Sequence, residues 1–188
     1  MQIEVNSNFL VGMSAIVGKD DLRPVLQNVF LDKGKAVATD AHHMVVIDLE
    51  LWGFTDAAKD LVNGYYVDID VLKELSTVKK GYSIKVGKGS ISVYKDGKEQ
   101  AIKTLHLQEA ASSGTKYPNY EGVMPTTAES INRFSIDAKY LVNIQKIYKS
   151  IFNSITDGSY IQCYGHNRPI VVKTENSKFY GLIMPKVV

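Results

Sequence analysis

Much that would narrow the function of a 188-residue chain is scarce in this one. There is a single cysteine, Cys163, so no disulfide can close within it. That fits a reducing compartment. Cys163 lies in an apolar–polar alternation and is expected to be a buried thiol. No apolar run is long enough to cross a bilayer, so no membrane partner is expected. Met1 to Val5 carries neither a basic lead nor a long apolar core, hence no signal peptide. The expected location is cytoplasmic. The net charge is only +2, too little to announce a nucleic-acid binder in bulk, so any phosphate contact must come from local clustering. No Gly-x-Ser-x-Gly elbow, P-loop or His-Glu-x-x-His motif is present. A strand pattern follows Gly87-Lys88-Gly89, which makes it a hairpin turn and not a phosphate cradle.

What the chain does have is one plan written three times. Unit one opens with a strand, Gln2 to Val5. Asn6, Ser7 and Asn8 are good caps for a helix bearing Phe9, Leu10, Met13, Ile16 and Val17 on one face. Strands follow at Val29 to Leu31, Ala36 to Thr39 and Met44 to Leu51. Unit two opens at Tyr65-Tyr66-Val67. Asp68 or Asp70 caps a helix with Val71, Leu72, Leu75 and Val78 inward, and Gly81 ends it. Ser83 to Val86, Ser90 to Tyr94 and Gln100 to Leu107 read as strands, with Asp96-Gly97 as a hairpin signal. A polar stretch, Gln108 to Lys116, reads as a flexible loop. Unit three opens at Asn132 to Ile136. Asp137 caps a helix with Leu141, Ile144, Tyr148, Ile151 and Phe152, and three strands follow, at Tyr160 to Tyr164, Ile170 to Thr174 and Phe179 to Met184.

The expected class is therefore α+β, with repeated β-α-β-β-β units and helices packed on antiparallel sheets. Residues 1–107 form a complete domain of two units, 108–129 a linker, and 130–188 a half-domain.

Three segments carry a resemblance. They are Ala38-Thr39-Asp40-Ala41-His42-His43-Met44, then Tyr117-Pro118-Asn119-Tyr120-Glu121-Gly122-Val123-Met124-Pro125, then Tyr180-Gly181-Leu182-Ile183-Met184-Pro185. In this order they resemble the β sliding clamp of bacterial replicative DNA polymerase (DNA polymerase III). That family has an Ala-Thr-Asp-Gly-His-Arg-Leu corner, a Phe-Pro-Asp-Tyr…Val-Leu-Pro lead, and a last strand ending Met-Pro. Arg168-Pro169-Ile170-Val171-Val172 resembles the strand beside that terminus. Units one and two match the family's middle domain, and unit three matches the second half of its last domain.

The resemblance implies a DNA-clamp fold and a non-catalytic accessory of DNA replication or repair, with no cofactor and no metal. It implies an apolar pocket for partner peptides walled by Leu26, Thr39, His42, Met44, Pro118, Val123, Leu182, Met184 and Pro185. Such a groove suits an extended peptide with bulky apolar anchors. The family's Gly and Arg in the corner are Ala41 and His43 here, and Glu121-Gly122 replaces a basic position, so the rim loses positive charge. Duplex DNA is the second implied partner, held through Lys73, Lys79, Lys80, Lys139, Lys146 and Lys149 on inward helices. The alternative is a clamp-derived protein–protein module without DNA binding, because the first helix has no basic residue before Lys19. A half-domain leaves a sheet edge open, which implies a homo-oligomer, either a tetrameric ring of twelve units or a dimer.

Other residues read more plainly. Adjacent His42 and His43 point to opposite faces of a strand and are poorly placed to share a metal or to act with Asp40 as a hydrolase. His106 and His166 are isolated. Asp40 is expected to accept hydrogen bonds from turn amides. Tyr65, Tyr66, Tyr82 and Tyr94 fit strands, and Trp52 is expected to pin a connection to the core.

Overall fold

Alternating side chains broken by Gly- and Asx-containing turns build two antiparallel sheets. They are seen in a computed structural model that describes residues 2–19, 22–78, 81–127, 134–152, 159–165 and 167–186. The strands are β1 (Ile3–Val5), β2 (Val29–Asp32), β3 (Lys35–Thr39), β4 (His43–Asp48), β5 (Tyr65–Val67) and β6 (Tyr82–Gly87). They continue with β7 (Ser90–Lys95), β8 (Lys103–His106), β9 (Gln108–Glu109), β10 (Ser159–Gln162), β11 (Ile170–Thr174) and β12 (Phe179–Ile183). One sheet has the order β1-β6-β7-β8, and the other runs β10-β11-β12-β4-β3-β2-β5-β9. The longer sheet joins unit one to unit three through β4 and β12, with Val45 opposite Gly181 and Met44 opposite Leu182.

The longer sheet is covered on both faces. In β3 and β4, Ala36, Ala38, Val45 and Ile47 join the main core, while Val37, Met44 and Val46 join a second core on the opposite side. That is why β4 reads as an almost unbroken apolar run rather than an alternation. Tyr117 and Tyr120 close the second core, so residues 117–124 act as a strap across the sheet.

Three helices lie with these sheets: α1 (Asp56–Val62), α2 (Ile69–Ser76) and α3 (Ala138–Phe152). The Asp68 carboxylate caps α2, accepting from the N–H of Asp70 at 2.9 Å and of Val71 at 2.8 Å. The helix α1, capped by Thr55, falls between the first two units, where the sequence reading placed none.

The helix expected in unit one does not form. Its apolar residues are buried as foreseen, but the backbone makes successive turns with a short 3-10 segment at Met13–Ala15. Leu10 (φ 61°) and Gly12 (φ 89°) adopt left-handed conformations that interrupt any α-helix. Side chains of α3 satisfy the freed carbonyls: Ser150 Oγ donates to Val11 O at 3.0 Å and Asn143 Nδ2 to Ala15 O at 3.2 Å. Two further differences concern the loops. Gln108 and Glu109, placed in a flexible loop, pair with β5. Phe134 to Ile136, placed in a strand, form no ladder, and Asn132 and Arg133 lie outside the described residues. Trp52 is fully buried and packs edge-on against Phe9, with ring centroids 5.5 Å apart, as its anchoring role requires.

Gly181 sets how closely α3 approaches β12. A Cβ there would sit 2.6 Å from Cδ1, 3.0 Å from Cγ1 and 3.2 Å from Cγ2 of Ile144. Ile144 is buried and β-branched, so it has little freedom to turn away. Gly181→Ala should therefore cost about 1–3 kcal/mol through overpacking. Urea unfolding followed by circular dichroism measures this, and an unchanged midpoint would show that α3 does not bear on β12 in this way.

Candidate functional site

The corner between β3 and β4 is built from its own polar side chains. Asp40 Oδ1 accepts from the backbone N–H of His42 and of His43, each at 2.9 Å, and lies 2.8 Å from His43 Nδ1. Thr39 Oγ1 donates to His43 O at 2.8 Å and accepts from Ala41 N–H at 3.0 Å. Ala41 holds a left-handed φ of 73°, the reason a glycine suits that position. His43 is buried and its ring stacks on Tyr140 of α3, with centroids 4.4 Å apart. His42 is exposed beside it. The carboxylate therefore partners the buried histidine, and among the described residues no cluster of three His, Cys, Asp or Glu side chains could hold a metal.

Burial works against the charge on Asp40. The hydrogen bond to the His43 ring and those from the two backbone amides outweigh it and hold the carboxyl down to about 2.

The last strand completes one wall. Met184 N–H donates to His42 O at 2.8 Å, continuing the β4–β12 ladder one step past its end. The strap supplies the facing wall. Tyr117 is buried against Phe30 and Tyr66 and donates to Val37 O at 3.2 Å. Tyr120 donates to Asp32 Oδ2 at 2.9 Å. Burial pushes both phenols upward, so they remain protonated donors. A third wall comes from the 3-10 turn Pro24–Gln27, which is tied back where Gly18 N–H donates to Leu26 O at 2.8 Å.

Between these walls lies a cavity of about 580 Å³. Leu26, Thr39, His42 and Met44 line it from unit one, Pro118 and Val123 from the strap, and Leu182 and Met184 from β12 and its extension. Pro185 does not line it. The sequence reading missed Arg23, Pro24 and Val25, and also Lys116, Asn119, Tyr120 and Pro169. Asn119, Tyr120 and Pro169 lie inside the segments quoted above, and Lys116 directly precedes one of them. Arg23 to Val25 carried none beyond their proximity to Leu26. Three of the eight large apolar side chains that stand exposed among the described residues, Leu22, Val123 and Met184, belong to this cavity.

The lysines divide. On α3, Lys139, Lys146 and Lys149 are exposed on one stripe, and the helix has no acidic residue. Lys139 pairs with Asp137 at 3.3 Å. On α2, Lys73 is engaged by Asp70 at 2.8 Å, and Glu74 binds Lys103 at 2.8 Å, so that helix offers no net positive face. Lys79 and Lys80 lie outside the described residues, as does His166. Among the described residues no helix is long and apolar enough to cross a membrane.

No family model and no curated protein sequence matches the chain. Solved structures do match in fold. DNA polymerase III subunit beta from Borrelia burgdorferi superposes over 100% of this chain and 63% of its own, with TM-score 0.66 and 16% identity. The DNA polymerase sliding clamp from Bacillus subtilis gives 100% and 64%, TM-score 0.68 and 12% identity. The Helicobacter pylori beta clamp bound to a DNA ligase peptide gives 99% and 65%, TM-score 0.65 and 14% identity. The chain thus has the α+β fold of bacterial sliding clamps and spans less than two thirds of their length.

The depressed Asp40 value has a signed consequence. Its folded-state pKa lies below the unfolded one, so its contribution is full above about pH 4 and is lost as the pH falls toward about 2. Asp40→Asn should cost about 2 kcal/mol at neutral pH. The difference from wild type in chemical unfolding should close across that acidic window. A difference that stays flat from neutral pH down to the acid limit would show that the carboxylate charge does not hold the corner.

Proposed function

We propose that this chain is a non-catalytic, clamp-like accessory of DNA replication or repair that grips an extended apolar peptide of a partner protein in the cavity beside the β4–β12 seam. One observation carries the reading. Three segments far apart in sequence converge on a single cavity whose walls are mainly Leu, Met, Val and Pro side chains. Such a surface rewards burial of bulky apolar anchors, and methionine lets it adapt to more than one of them. The presence of a DNA ligase peptide on the Helicobacter pylori clamp, a protein of the same fold, supports a peptide as the occupant.

Duplex DNA is the second partner in this reading, approached by α3. A helix with three exposed lysines and no acidic residue favours sequence-independent phosphate contact. The balanced charges of α2 leave α3 as the more basic helix among the described residues. Arg23 and Lys116 line the cavity, while Glu121 of the strap stands outside its lining, bonded to Lys33 at 2.8 Å.

Fluorescence anisotropy with the DNA ligase peptide as probe tests the cavity. Met184 is partly exposed, so Met184→Asp should leave the melting curve unchanged while weakening binding roughly tenfold or more. Equal binding by both proteins would remove the peptide reading. For DNA, Lys146→Glu with Lys149→Glu should lower the slope of log affinity against log salt by about 2. A wild-type chain with no salt-sensitive binding to a duplex would leave a peptide-binding module alone.

A further inference from the structure

A second hollow lies beside the cavity, across the start of the strap. Strand alternation brings Phe30 and Asp32 of β2 to one face of the long sheet, and Tyr66 of β5 stands opposite Phe30. The Phe30 ring lies 5.2 Å from that of Tyr66 and 5.1 Å from that of Tyr117, centroid to centroid. Tyr66 and Tyr117 are buried, while Phe30 is only half-buried. With Ala110 and Ala111 these rings form an open groove of about 600 Å³. Asp32 is the one acidic residue that lines it among the described residues.

Groove and cavity share a ridge. Thr115 and Lys116 line both, and next to them Tyr117 lines the groove while Pro118 lines the cavity. The Tyr66 hydroxyl donates to Thr115 O at 3.3 Å, which ties the ridge to β5. A chain leaving the cavity across these two residues enters the groove directly.

The two hollows differ in charge. The described lining of the cavity includes Arg23 and Lys116 and no carboxylate. The groove sets the Asp32 carboxylate beside the Phe30 ring. Asp32 Oδ2 accepts from Tyr120 at 2.9 Å, and among the described residues no lysine or arginine forms an ion pair with Asp32. That includes Lys33, which is bonded to Glu121 instead, and Lys35, opposite Asp32 across the β2–β3 pair. A carboxylate flanked by aromatic rings selects a guanidinium or ammonium group, through its charge and through the ring face.

We propose that the groove is a second contact for the peptide held in the cavity, and that it takes an arginine or lysine lying a few residues beyond the apolar anchors. The inference rests on the peptide reading given above and adds a basic residue to the partner's chemistry. Apolar anchors enter the hollow without a carboxylate, and the cation reaches the hollow that has one. The net charge of the chain is +2, which gives no general attraction for a basic tail, so a preference for one has to arise locally.

Fluorescence anisotropy tests the proposal with the DNA ligase peptide in five forms: unextended, and carrying Gly-Gly-Arg-Arg or Gly-Gly-Glu-Glu at either end. The readout is the affinity of each extended peptide relative to the unextended one, taken separately for each protein. For wild type one of the two arginine forms should bind roughly tenfold tighter than the unextended peptide, and neither glutamate form should gain. Asp32→Asn keeps an oxygen for Tyr120 and should bring that ratio to about one. Ala111→Lys places a cation in the groove at an exposed position outside the cavity lining and should do the same, an independent reading should Asp32→Asn disturb the strap. A wild-type chain that binds the unextended peptide but gains from neither arginine form overturns this inference and leaves the peptide reading standing. A gain that both variants leave unchanged also overturns it. Failure to bind the unextended peptide removes the peptide reading, and this inference with it.

Discussion

The antiparallel pairing of β4 with β12 is the contact on which the rest depends. It welds unit three onto unit one, makes two short ladders into one eight-stranded sheet, and brings Leu182 beside Met44. Without it the cavity would have a corner and a strap but no facing strand. Gly181 serves the same seam from the other side. It lets α3 settle against β12, and α3 in turn fills the place where unit one lacks a regular helix.

The seam ends at the corner, and there the polar chemistry is local. One carboxylate oxygen, on Asp40, meets two amides and an imidazole, which frees the neighbouring side chains to face the cavity. Division of labour follows from strand alternation. His43 points inward to Tyr140 and is structural, while His42 stands at the cavity rim. The apolar walls come from elements that are rigid for other reasons: a ladder, a strap pinned by two buried phenols, and a tied 3-10 turn. A cavity framed this way has walls that are set by the fold itself.

Most of this architecture was legible in the sequence because turn residues and apolar periods agree over long stretches. Asp68 as a cap, the hairpin around Gly89 and the buried faces of α2 and α3 all follow local rules. The cavity walls were legible by resemblance, and eight of the nine named residues do meet. Unit one's helix was misread because an apolar period of helical spacing says only that a face is buried. It is silent on Leu10 and Gly12 turning left-handed under the side chains of α3. The stretch before the strap was misjudged for a similar reason. Ala110, Ala111, Ser112 and Ser113 look loose in isolation, while β9 just before them borrows the edge of β5. Long-range partners decided both cases, and a window of a dozen residues does not contain them.

The same seam has a temporal consequence. The ribosome emits β4 well before β12, so β4 waits without its neighbour while the chain between them is made. Its apolar backbone rail is then a hazard for nascent-chain clumping, and joining ends so remote in the polypeptide is a slow kind of search. The cavity is complete only once β12 has emerged and joined β4.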